Sequence, residues 1–240
     1  MAELLPAWII DTLSRLLRRP GFYGDYATFD AALAVSTGYN TAAIAQVVAT
    51  WRHVPAIDLH APYQHVLAAL APVLIGREHL SVLDVGGGCG MYFYALRPFL
   101  PPLTWTILET PEMVRACANG EIRYVEDAAQ LIPPYNVVLL STVLPYLRDP
   151  YAEFTRFAGM AEYLILARLP LWSRDRLTVE TPSRYAASYP AWFLDEAKLL
   201  QAVRAHGVIR MRWSSKQDAL RLDGRKIVLQ GMLIQRTDFS

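Results

Sequence analysis

Nine consecutive residues, Val82 to Gly90 (VLDVGGGCG), constrain this chain more than any others. An apolar strand pattern there breaks abruptly into glycine. Residues without a Cβ let the backbone turn sharply and let a ligand approach it closely. Asp84, Gly86, Gly88 and Gly90 stand at the spacing D-x-G-x-G-x-G. A dinucleotide fingerprint requires G-x-G-x-x-G after the strand. Gly86 and Gly88 satisfy its first two positions, but Met91 occupies the third.

The residues that follow decide how the loop is read. Leu103 to Glu109 (LTWTILE) reads as a second strand, closing on an acid about twenty residues after the loop, as a β-α-β unit demands. An ionised carboxylate at that strand end can accept hydrogen bonds from both hydroxyls of a ribose. Ile122 to Val125 reads as a short third strand, followed by Glu126-Asp127-Ala128. Tyr135 to Ser141 reads as a fourth, opening into Thr142 to Leu147. Loop, acid and following strands resemble, in order and spacing, the nucleotide site of class I S-adenosylmethionine (SAM) methyltransferases.

The 240 residues suit one domain with elaborations and a sizeable core. A net charge of +1 offers no basic face for nucleic acid, and Arg15, Arg18 and Arg19 read as a solvated helix end. Cys89 and Cys117 offer neither a disulfide framework nor a zinc spacing, which suits a reducing cytosol. No apolar run reaches the ~20 residues that would span a bilayer. Glu3, Pro6 and Asp11 interrupt anything like a signal peptide. The expectation is a cytoplasmic protein with a small-molecule partner, no nucleic acid and no integral membrane segment.

Residues 1–78 read as a helical cap. Leu5, Trp8, Ile9, Leu13, Leu16 and Leu17 recur at helical spacing, an apolar stripe that suits packing on the domain or on a second copy in a homodimer. Gly21 to Tyr26 reads as an aromatic loop. Helices are expected near 29–35, 41–53 and 62–75. Residues 79–240 read as an α/β, Rossmann-like core, with a seven-stranded, mostly parallel sheet whose last strand is antiparallel. An aromatic, proline-punctuated insertion at 169–193 interrupts the alternation.

More specific strings narrow the likeness. Residues 31–39 (AALAVSTGY), 141–150 (STVLPYLRDP), 176–179 (RLTV) and 188–193 (SYPAWF) resemble a largely uncharacterised bacterial family of SAM-dependent methyltransferases. Some of its members accompany surface-polysaccharide genes. The resemblance implies S-adenosyl-L-methionine as donor, S-adenosyl-L-homocysteine (SAH) as product, and no metal. It assigns the cofactor to Gly86, Gly88, Gly90, Asp84, Glu109 for the ribose, Asp127 for the adenine amine, and Ser141 with Thr142. Asp127 has a plainer alternative as a helix cap.

Acceptor contacts are expected from Tyr26, Tyr39, Tyr146, Tyr185, Tyr189 and Trp192, whose rings can exclude water and stack on a substrate. Tyr189 and Trp192 are the candidates to touch the reacting group. His65, with His60, is the histidine to test as a base. The expected reaction is N- or O-methylation of a sugar or other secondary metabolite, and the lack of an evident base points to an amine or to an acceptor whose own pKa is lowered. The rivals are an enzyme of the same fold that binds SAM without transferring methyl, and a non-catalytic partner protein.

Overall fold

The structure is a computed structural model that describes residues 20–52, 61–184 and 186–238. The expected first helix, His60 and Tyr185 lie outside the described residues.

In chain order the elements are β1 (Gly21–Tyr23), α1 (Phe29–Leu33), α2 (Ala42–Ala49), α3 (Ala61–Leu70), β2 (Leu80–Val85), α4 (Met91–Leu96), β3 (Leu103–Leu108) and α5 (Pro111–Cys117). They continue with β4 (Arg123–Val125), β5 (Tyr135–Ser141), α6 (Pro150–Ala158), β6 (Ala161–Leu169), β7 (Leu171–Trp172) and β8 (Arg176–Thr181). The last four are β9 (Tyr189–Asp195), α7 (Glu196–His206), β10 (Gly207–Leu222) and β11 (Arg225–Arg236).

Seven strands form the main sheet in the order β10-β11-β6-β5-β2-β3-β4. Contacts among β4, β3, β2, β5 and β6 are parallel, whereas β11 runs antiparallel to both neighbours. The apolar runs follow from burial on both faces. Along β5, Val138 and Leu140 face a core shared with Phe154 and Phe157 of α6 and Leu199 of α7. Val137 and Leu139 face the opposite core, built with Val66 and Leu70 of α3 and Phe93 of α4. This is the two-residue alternation of a strand, with both sides apolar. Strand order reverses between β2 and β5, and ligands of open α/β sheets bind at that switch point, beyond the strands' carboxyl ends.

Several expectations are corrected. The aromatic insertion carries strands of its own: β8 and β9 pair antiparallel, β7 joins β9 in parallel, and β1 pairs with β8 to complete a second sheet. The expected aromatic loop at 21–26 therefore begins as a strand, and the cap is not wholly helical. The final strands are longer than their apolar stretches. β10 continues through polar residues to Leu222, and the hairpin closes at Asp223 (φ 49°) and Gly224 (φ 75°), a turn whose twist matches its strands. Its tip is useful: Leu222 and Ile227 pack on Phe193, and Arg176 pairs with Asp223. The hairpin thereby holds the second sheet against the first.

The two cysteines are also not separate thiols. Cys89 and Cys117 form a disulfide, with their Cα atoms 4.9 Å apart across a sequence separation of 28. Cys89 belongs to the glycine loop and Cys117 ends α5, so the α/β crossover brings together residues whose spacing carries no recognised pattern.

Candidate active site

The glycine loop leaves β2 and turns into α4. Gly86 has φ +70°, and a Cβ there would stand 2.7 Å from Val143 Cγ2, so the loop lies directly against the turn that follows β5. That contact closes the floor of the switch-point crevice. Asp84 lies beneath the loop and is 1% exposed. Trp105 Nε1 donates to its Oδ2 at 3.3 Å. Burial pushes the Asp84 carboxyl up to about 7, against the lowering effect of the Trp105 hydrogen bond. Asp84 thus shapes the loop from below.

Glu109 sits just beyond β3 with its carboxylate turned onto the loop. Its Oε1 accepts from the Gly88 amide at 3.1 Å and its Oε2 from the Thr110 amide at 2.7 Å. The side chain is buried, and burial raises its carboxyl pKa although both amides pull it down. Each carboxylate oxygen has a second lone pair for a ligand.

Asp127 takes the plainer arrangement the sequence allowed. Its Oδ1 accepts from Ala129 N at 2.9 Å and, with Gln130, forms a capping box on a short 3-10 turn. At the end of β5, Ser141 Oγ and Tyr92 Oη are hydrogen-bonded at 2.8 Å. Thr142 has φ 63°. A β-branched residue rarely adopts that conformation, and such strain concentrates at functional sites. Its amide is held by the Ala167 carbonyl at 2.9 Å.

Three of the expected aromatic residues converge. Tyr189 meets Tyr39 edge-on at 5.4 Å between ring centroids and Tyr146 at 5.3 Å. Tyr39 comes from the cap, Tyr146 from the turn after β5, and Tyr189 from β9. Tyr189 also shares a buried cluster with Cys89, so the aromatic group adjoins the glycine loop. The cap is tied there through Thr37, Gly38 and Ser188. Thr37 and Gly38 amides donate to the Ser188 carbonyl at 3.0 and 2.9 Å, and Ser188 N donates to Thr37 Oγ1 at 2.8 Å.

The remaining candidates lie elsewhere. Tyr26 packs with Ala32, Leu177 and Val179. Trp192 projects from the opposite face of β9 to Tyr189, as an odd separation along a strand requires. Its Nε1 donates to the Leu147 carbonyl at 3.2 Å, fastening the second sheet to the loop after β5. His65 rests on Trp213 at 6.0 Å, and Trp213 lies over Gly231 of β11, three strands from β2 in the sheet order.

Sequence reading missed Glu180. Its Oε2 accepts from Tyr146 Oη at 2.8 Å, and it stands opposite Tyr189 in the β8–β9 register. Burial pushes its carboxyl up to about 7, opposed by the Tyr146 hydrogen bond and by Arg168. The available signal was an acid inside the otherwise apolar and β-branched stretch LTVET, residues 177–181. Arg168, next to last in β6, has φ 59° and pairs with Asp218 through Nε–Oδ2 at 2.6 Å and Nη2–Oδ1 at 3.0 Å.

Among the described residues, no group of three or more His, Cys, Asp or Glu side chains could hold a metal, and no helix is long and apolar enough to cross a membrane.

The strand order, the antiparallel penultimate strand position and the glycine loop at the switch point define the fold of class I SAM-dependent methyltransferases. Solved structures of that class share it. The chain is similar to magnesium protoporphyrin IX methyltransferase of Synechocystis PCC 6803 with bound SAM, at 16% identity and TM-score 0.51, over 99% of this chain and 100% of that one. It is similar to a SAM-dependent methyltransferase of Clostridium acetobutylicum at 9% identity and TM-score 0.52, over 75% and 93%. It is similar to the N-terminal domain of EvdMO1 with bound SAH at 17% identity and TM-score 0.51, over 74% and 82%. No protein-family model and no curated protein matches the sequence.

Proposed function

We propose that the chain is a SAM-dependent methyltransferase acting on a small-molecule acceptor. The observation that carries this reading is the Glu109 carboxylate, buried against the Gly88 amide with lone pairs to spare, across the crevice floor from the strained Thr142. A fold kept only for association has no use for that arrangement. The residues fit the donor. The backbone of Gly86, Gly88 and Gly90 would face its amino-acid and ribose portion, shaped by Asp84 from below. Glu109 would take the ribose hydroxyls and Asp127 the adenine amine through its second oxygen. Ser141 and Thr142 would border the sulfur end.

SAM, when bound, supplies a methyl group already activated by a sulfonium, so the hard chemistry resides in the donor. The chain's own task is alignment and exclusion of water. Holding acceptor and methyl in line replaces a bimolecular encounter, an effect of up to about 7–11 kcal/mol. Tyr39, Tyr146 and Tyr189 provide an apolar wall beside the loop, and Thr37 with Ser188 holds the cap over it. The Synechocystis enzyme is named for a porphyrin acceptor, and EvdMO1 is seen with SAH bound. The balanced charge of this chain supports a small acceptor, a sugar or other secondary metabolite, rather than nucleic acid.

The test is transfer of isotope-labelled methyl from SAM into a fractionated small-molecule extract, read by mass spectrometry, beside calorimetric titration with SAH. A labelled product formed by the wild type and missing with Glu109→Ala supports the reading. No SAH binding, or binding with no label transferred, overturns it.

A further inference from the structure

Glu180 is an acid held by side chains from several elements. It sits between Val179 and Thr181, both buried, on β8, which lies between β1 and β9 in the second sheet. Groups from every neighbouring element face it. Tyr146 Oη, from the turn after β5, donates to Oε2 at 2.8 Å. Tyr189 of β9 and Phe22 of β1 are its register partners on either side. Arg168 of β6, paired with Asp218 of β10, lies close enough to lower its pKa. Tyr146 is in turn packed on Tyr189, and the same turn carries Val143 against Gly86. The carboxylate is therefore linked to the glycine loop through one short turn and one ring contact.

We propose that Glu180, oriented by Tyr146, is the general base that takes the proton of a hydroxyl acceptor, so that the product is a methyl ether. This inference rests on the methyltransferase reading. As the acceptor oxygen forms its bond to the methyl carbon, the methyl–sulfur bond breaks and its electron pair stays on sulfur, giving neutral SAH. The acceptor's O–H bond breaks and its proton passes to Oε1 of Glu180, which later releases it to water. A carboxylate that titrates near neutrality suits this task better than one at the usual value, because base strength and the ionised fraction are then both useful at pH 7. A positioned base favours a hydroxyl over an amine, because a neutral amine attacks without first losing a proton whereas a hydroxyl needs one removed.

The plain alternative is a hydrogen bond that only fastens the second sheet to the turn after β5. Glu180→Gln separates the two, because a glutamine carbonyl still accepts from Tyr146 but is not a base. The experiment uses the full chain, labelled SAM and the extract fraction that gives product, with the labelled methyl located by NMR. The expected result is a methyl ether, with Glu180→Gln slower by about 10²–10⁴-fold in kcat, in line with general-base catalysis, and an SAH affinity within about twofold. The rate should rise with pH through the Glu180 titration. Tyr146→Phe, which removes a hydrogen bond that lowers the pKa, should move that limb to higher pH. A methylated nitrogen or carbon, or a Glu180→Gln enzyme retaining more than about a tenth of the rate, overturns this inference and leaves methyl transfer standing. No labelled product from the wild type overturns both. An acceptor-free measurement provides an independent arm: infrared difference spectra of wild type minus Glu180→Gln should show a carboxyl titrating near 7. A titration near the ordinary 4.5 overturns the assignment.

Discussion

Gly87 lies outside the D-x-G-x-G-x-G spacing, yet the structure makes it as demanding as its neighbours. Its backbone is not left-handed, so conformational strain is no obstacle to alanine there. The obstacle is Asp84. A Cβ on Gly87 would stand 2.5 Å from Oδ2, 2.6 Å from Cγ and 3.0 Å from Oδ1 of that carboxyl. Asp84 cannot swing aside, because it is 1% exposed and bonded to the buried Trp105. Overpacking of this kind costs about 1–3 kcal/mol. The smaller entropy of an unfolded chain with alanine returns about 0.4–1 kcal/mol. Gly87→Ala should therefore lose about 1–2 kcal/mol, a fall in Tm of about 2–8 °C for a domain of this size. Asp84→Ala removes the obstructing carboxyl, so a double-mutant cycle isolates the clash. In the Asp84→Ala background, Gly87→Ala should become neutral or slightly stabilising. Thermal unfolding of the four proteins, followed by circular dichroism, measures each corner. An unchanged Tm for Gly87→Ala, or the same loss in both backgrounds, refutes the idea that Asp84 buttresses the loop.

Three further expectations follow from the same residues and from the core. Glu109→Gln keeps an acceptor for Gly88 but loses the charge, so SAH affinity by calorimetry should drop about 10–100-fold, the worth of a charge-assisted hydrogen bond. An affinity unchanged within twofold would remove Glu109 from the cofactor site. Asp84 titrates at about 7 in the folded chain against an ordinary 3.8, so the native state holds its proton more tightly. That contribution to stability is fully present below about 4 and is lost as pH rises through about 7. Urea midpoints should show wild type losing stability relative to Asp84→Asn across that window, and a constant gap would contradict the shift. Phe154, on the inner face of α6, is fully buried and meets His206 edge-on at 5.8 Å. Phe154→Ala should cost about 3–5 kcal/mol by equilibrium denaturation, whereas a loss under 1 kcal/mol would mean that this face is loosely packed.

The sequence by itself determined whatever is written in local periodicity and in short, ordered spacings. Apolar runs at 80–85, 103–108 and 135–141 became the central strands because a sheet buried on both faces leaves them no polar alternative. The glycine spacing and the acid that closes the next strand fall within one β-α-β unit, so the meeting of the loop with Glu109 was legible before any contact was known. Tertiary structure alone decided what depends on distant pairing. β1 is too short, at three residues, to signal a strand on its own, and it exists because β8 supplies its backbone partners across more than 150 residues. The polar half of β10 has no strand signature, since its order comes from β11 alongside it. Cys89 meets Cys117 only because the crossover helix carries one to the other. Trp192 looked equivalent to Tyr189 in a shared aromatic string, but strand alternation sent it to the other face. Glu180 shows the limit most clearly. An acid in a strand is ordinary until the fold buries it, sets a tyrosine on one oxygen and holds it beside a glycine loop almost a hundred residues upstream.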